Sequence, residues 1–177
     1  MPRYARHTKP ALRQETREKI VYAGDMFDID QTGAVFTDIG YSPVWQFPDG
    51  QDSYVHADLK VPNDRVPGTP ITVKLVFGMT VEGGIGQVAL YVGYYVVGYG
   101  ESIQAGVFAP AWLLTPAPAL NNSYTTPGFL IPASEMAGHR QSIDIQMRIG
   151  RDGIHVADTS VGTVNLLKAI FEYTAYV

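Results

Sequence analysis

A chain of 177 residues fits one domain, and at this size roughly 70% of the unfolded surface can be buried, so a core needs no covalent staple. The absence of cysteine excludes disulfides, thiolate metal sites and a cysteine nucleophile. The formal charge of −4 conceals an asymmetry, because residues 1–19 hold Arg3, Arg6, Lys9, Arg13, Arg17 and Lys19 against only Glu15 and Glu18, a basic segment on an acidic body.

The start of the chain is polar, and the longest apolar stretch, Val88–Val97, is short and broken by glycine, so neither an export signal nor a membrane span is expected. Hydrophobic residues make up 46% and charged residues 17%, a balance that predicts apolar surface covered by neighbouring subunits. Residues 1–19 are read as an N-terminal arm and 20–177 as the folded domain. Within the arm, Pro10 opens a possible helix over 11–20. Arginine outnumbers lysine there, which suits docking onto carboxylate or phosphate, and Tyr4, His7 and Leu12 add contact area. Nucleic acid is disfavoured as a partner, because the body is acidic and carries no aromatic RNA-binding signature.

From residue 20 onward, short β-branched and aromatic runs alternate with Gly, Pro, Asp and Asn clusters, a pattern that predicts an all-β sandwich or barrel. Strands are expected near 20–26, 34–37, 42–47, 53–61, 70–79, 86–98, 103–109, 127–131, 141–149 and 163–176. Asp28-Ile29-Asp30-Gln31-Thr32-Gly33 superficially matches a calcium loop, but its twelfth position is Ile39 where a bidentate Glu is needed, so an acidic turn is expected. A calcium site of another kind drawing on Asp25, Asp28, Asp30 or Asp38 stays open.

In Ile71–Phe77 the apolar residues Ile71, Val73, Leu75 and Phe77 fall on one face, and Ile143, Ile145, Met147 and Ile149 repeat the pattern later. Val88–Val97, with Tyr91, Tyr94 and Tyr95, is apolar on both faces and is expected to lie centrally or under another chain. Residues 110–128, with Pro110, Pro116, Pro118 and Pro127, read as an extended surface loop, and Ala133–Ala137 as one helical turn closed by Gly138. The strand ending at Tyr176 should be locked into a sheet.

Catalytic chemistry finds little support. His7, His56, His139 and His155 have no metal-ligand spacing and read as solvent-facing or interface residues. Gly100-Glu101-Ser102-Ile103-Gln104 lacks the second glycine of a nucleophile elbow, and Gly83-Gly84-Ile85-Gly86 lacks the Lys-Ser/Thr of a phosphate loop. Any two of Asp144, Asp152, Asp158 and Glu172 could form a glycosidase pair, but nothing selects one. No enzyme activity, cofactor or metal is expected. Trp45, Trp112 and Tyr124, with the tyrosine-rich strand, read as core and subunit contacts or as a sugar-stacking platform.

The order of the runs adds a resemblance. Pro43-Val44-Trp45-Gln46-Phe47-Pro48-Asp49-Gly50, Asp58-Leu59-Lys60-Val61-Pro62-Asn63-Asp64, Pro67–Leu75, Arg151-Asp152-Gly153, Ala157-Asp158-Thr159 and Leu166–Tyr173 resemble jelly-roll virion proteins of tailed phages over residues 42–177. That resemblance implies a jelly-roll β-sandwich and a structural role in the virion. Capsid cement or decoration proteins look nearest, with single-jelly-roll major capsid proteins and tail or head-fibre modules as neighbours. It further implies a homo-oligomer, dimer or trimer, on the capsid surface after assembly in the host cytoplasm. The major capsid protein would be its partner, gripped by an arm containing Arg3, Tyr4, Arg6, Lys9, Arg13, Arg17 and Lys19.

Overall fold

The computed structural model describes residues 12–80, 86–98, 109–120, 122–137 and 143–177, with only the backbone of 109 and 110. Eleven strands follow in order: β1 (Gln14–Tyr22), β2 (Val35–Ile39), β3 (Ser42–Phe47), β4 (Asp52–Lys60), β5 (Ile71–Met79), β6 (Gln87–Gly98), β7 (Ala109–Pro116), β8 (Tyr124–Thr125), β9 (Phe129–Ile131), β10 (Ile143–Asp152) and β11 (Val164–Tyr176). Among the described residues two 3-10 turns, Ala23–Asp25 and Ala133–Met136, interrupt them.

One sheet runs β2-β3-β11-β5-β8, with β1 also on β11 and β9 also on β5; the other runs β4-β10-β6-β7. Every pairing is antiparallel. Strand β11 is long enough to hold β3 against Val164–Leu166 and β1 against Lys168–Tyr176 along the same edge, with a register shift between them. The two antiparallel layers, seven strands in one and four in the other among the described residues, pack face to face as a jelly-roll β-sandwich.

The core between the layers is assembled by period-two alternation. Ile71, Val73, Leu75 and Phe77 of β5 face Ile145, Met147 and Ile149 of β10, and all seven are fully buried. Phe47, Phe171, Leu59 and Leu90 fill the remaining volume. Tyr94 also points inward and meets Phe129 edge-on at 5.6 Å. Strand β6 sits between β10 and β7, the central position its two-sided apolarity requires.

Two local expectations are corrected. The helix over 11–20 is replaced from Gln14 onward by strand β1, because the otherwise open edge of β11 supplies a hydrogen-bonding partner that outweighs a weak intrinsic preference. Residues 14–19 therefore lie in the sheet, while Arg3, Tyr4, Arg6 and Lys9 lie outside the described residues. The loop expected from residue 110 onward begins as strand β7, which among the described residues pairs only with β6 and lies at the sheet edge; its prolines fall at its second and last positions, where an edge tolerates a missing N–H. The strand expected at 103–109 falls almost wholly outside the described residues, as do Ser102, His7, His139, Gly83, Gly84 and Ile85.

Candidate functional site

Alternation in the β4-β10-β6-β7 sheet sends Val55, Leu59, Ile149 and Val92 inward, which leaves Tyr54, Gly150, Tyr91 and Trp112 side by side on the outer face. Gly150 is opposite Tyr54 on one flank and Tyr91 on the other. A Cβ there would lie 2.0 Å from the Ser53 carbonyl oxygen and 2.6 Å from Tyr54 Cα, so only glycine permits this close approach of β4. The row of outward rings is thus interrupted where the backbones come closest.

Trp112 is 46% exposed. Its ring meets Tyr91 at 6.5 Å and 66° and lies 5.8 Å from His155, while its Nε1–H donates to Asp152 Oδ2 at 2.9 Å. Tyr54, Tyr91, Trp112, Asp52 and Asp152 line a cleft of about 260 Å³, with Ser53 and Arg151 at its floor. Burial, then a hydrogen bond and repulsion from Asp152, push the Asp52 carboxyl above its ordinary value, against a smaller opposing effect of the Ile154 backbone. Carboxyls in hydrogen-bond contact are closer than the separation of about 5 Å or more that glycoside hydrolysis uses.

The floor is held by Arg151. Its guanidinium is fully buried and donates to both Asp158 oxygens at 2.8 Å, to Gly162 O at 2.5 Å, to Ser160 O at 2.6 Å and to Asp49 at 3.0 Å. These bonds fold the segment after β10 back onto the sheet, and His155 lies on that segment, its Nδ1 accepting the Ala157 N–H.

Toward the β4 edge, the segment Phe27–Gly33 crosses the outer face. Phe27 exchanges backbone hydrogen bonds with His56, and Thr32 Oγ1 accepts from Tyr54 N and donates to Tyr54 O, each at 2.9 Å. Asp30 accepts from Tyr54 Oη at 3.0 Å and Arg148 at 3.3 Å, and meets His56 Nε2 at 3.2 Å. His56 and then Tyr54 hold the Asp30 carboxyl below its ordinary value. Arg148 also lies 4.8 Å over the Tyr54 ring. His56, read from sequence as a solvent-facing or interface residue, is buried within the chain because the segment from Phe27 closes over it.

The Asp28–Gly33 turn therefore spends its central carboxylate on the sheet, and Asp28 Oδ1 accepts the Asp30 N–H. Among the described residues no group of three or more His, Asp or Glu is placed to hold a metal ion. The other sheet has a larger cleft of about 490 Å³, but Val44, Gln46, Met79, Asn165 and its remaining lining residues supply neither a titratable nor an aromatic side chain.

The three aromatics singled out in sequence are not brought together. Trp45 is buried, donating Nε1–H to Ala23 O at 2.9 Å and packing on Phe36, because its strand alternates it inward. Tyr124 is half-buried, edge-on to Phe77. Trp112 instead joins Tyr91, and Tyr95 shares their face while donating its hydroxyl to Gln146. Tyr54, Asp52, Gly150 and Arg151 were missed as site residues; the outward phase of Tyr54 in a strand with inward Val55, Ala57 and Leu59 was the available signal.

Of the named carboxylates, Asp152 pairs with Asp52, Asp158 with Arg151, and Glu172 with Lys74 on the opposite sheet. Arg17 is engaged within the chain by Glu15 and Asp64, at 2.6 and 2.5 Å, Lys19 donates to Lys60 O, and Arg13 O accepts the Val177 N–H.

No family model matches the chain, and no curated protein matches it in sequence. Among solved structures it is similar to the infectious bursal disease virus Gx strain structure, with 15% identity and a TM-score of 0.42 over 92% of this chain and 32% of that one. It is also similar to the xylan-binding module CBM15, with 12% identity and a TM-score of 0.48 over 89% of this chain and 97% of that one. A third is TmCBM61 in complex with β-1,4-galactotriose, with 10% identity and a TM-score of 0.39 over 90% and 88%. The chain spans about a third of the length of the viral chain. Jelly-roll viral capsid proteins and carbohydrate-binding modules thus both stand among its structural neighbours.

Proposed function

We propose that this chain is a non-catalytic jelly-roll module that binds glycan on the outer face of the β4-β10-β6-β7 sheet, as a receptor-binding or appendage component of a virion. The observation that carries the binding part is the exposed Trp112 ring set against Tyr91 beside the Asp52–Asp152 carboxyls. A pyranose stacks its C–H face on such a ring, and carboxylates accept its hydroxyl protons. The virion part is supported by the sequence resemblance over residues 42–177.

The test is a glycan array probed with the full chain, followed by titration of the retained sugars. Trp112→Ala, with an unchanged far-UV spectrum, should weaken binding about tenfold, the equivalent of 1.4 kcal/mol. Equal binding by the variant, or no glycan retained by the wild type, overturns the reading.

A purely structural place in the shell, as capsid cement on a major capsid protein or as a single-jelly-roll major capsid protein, is the second reading. It is favoured by the exposed Val35, Phe36, Ile39 and Tyr41 on and beside the edge strand β2, and by the basic N-terminal segment. Removing residues 1–11 leaves β1 intact and should release a cement protein from particles. Retention without that segment refutes the arm's part, and copies per particle by mass spectrometry separate cement from major capsid protein.

A further inference from the structure

We propose that the cleft between Tyr54, Tyr91 and Trp112 receives the ammonium group of an unacetylated amino sugar, with Asp52 and Asp152 as its counter-charge. This inference rests on the glycan-binding reading and names the class of glycan. Tyr91 and Trp112 meet at 66°, which makes a corner and not a flat platform. The exposed part of the Trp112 ring borders this corner, and a cation within about 6 Å of a ring face is attracted by its quadrupole.

The cleft of about 260 Å³ is large enough for one pyranose ring or part of one, and its anionic groups are the adjoining carboxyls of Asp52 and Asp152. The nearby arginines are already engaged. Arg151 is committed to Asp158, Asp49 and two backbone carbonyls beneath the floor, and Arg148 is drawn away to Asp30 and the Tyr54 ring. A ligand ammonium would donate to both carboxylates and relieve their mutual repulsion. An N-acetylated sugar offers no charge there, and a uronate would add a third negative charge.

The experiment is calorimetric titration of the full chain with a glucosamine tetrasaccharide, its fully N-acetylated form and cellotetraose, at mildly acid pH where the free amine is charged. The amino form should bind at least about tenfold tighter than either neutral form. Asp52→Asn with Asp152→Asn, which keeps acceptor oxygens for Ile154 N–H and Trp112 Nε1–H, should abolish that preference. A charge-matched control, Asp58→Asn with Asp144→Asn, changes two other outer-face carboxylates and should retain it.

Equal affinity for the three sugars, or tighter binding of a neutral one, overturns this inference and leaves the glycan reading standing. Failure to bind any of them overturns the inference, and the array above decides the broader reading independently. Equal loss of preference in the control pair identifies long-range attraction and also overturns the assignment to this cleft.

Discussion

Replacing Arg151 by methionine keeps roughly the side-chain volume but removes every hydrogen bond that the buried guanidinium donates. Asp158, whose side chain is 1% exposed, then stays buried with, among the described residues, only the Ala89 N–H as a donor, and the Gly162 and Ser160 carbonyls lose the guanidinium. Breaking a buried pair from one side costs about 3–5 kcal/mol, whereas the contribution of Asp49, which is 40% exposed, is small.

At about 2–4 °C per kcal/mol for a domain of this size, the midpoint should fall by about 10 °C. Thermal and urea unfolding followed by circular dichroism measure it. Arg151→Met combined with Asp158→Leu removes the stranded charge and should recover most of the loss. A single-variant cost below about 1 kcal/mol, or a double variant no better than the single, would refute the account of Arg151 as the tie holding the segment under the cleft.

Gly150→Ala places a methyl against backbone atoms of β4, so it should cost about 1–3 kcal/mol in urea unfolding and also weaken glycan binding, because Tyr54 and Tyr91 flank that position. For pH, Asp30 has a depressed folded-state pKa, so its stabilisation is present above the ordinary aspartate value and is lost as pH falls through the lower folded value. Urea midpoints taken down through that acid range should show Asp30→Asn less stable than wild type at neutral pH and converging with it in acid; a constant difference would refute the assignment.

How far the fold was legible depended on whether the signal was local. Ile71, Val73, Leu75 and Phe77 announce their shared face within one strand, because the β-strand period is two. Gln14–Lys19 carry no such pattern, and only the open edge of β11 makes them a strand. Trp45 and Trp112 illustrate the same limit for the site. Both lie in apolar runs, yet one faces the core and the other solvent, because exposure follows from which face of each strand meets the opposite sheet.

The amino-acid sequence by itself determined an all-β sandwich, most of its strands, its basic start and its lack of thiol chemistry. The tertiary structure alone decided that Tyr54, Tyr91 and Trp112 form one row, that Asp52 meets Asp152, and that Arg151 lies buried on Asp158. These residues are brought together by antiparallel registers between strands distant in the chain. Alternation specifies which face a side chain takes, whereas register and the choice of neighbouring strand specify what it meets.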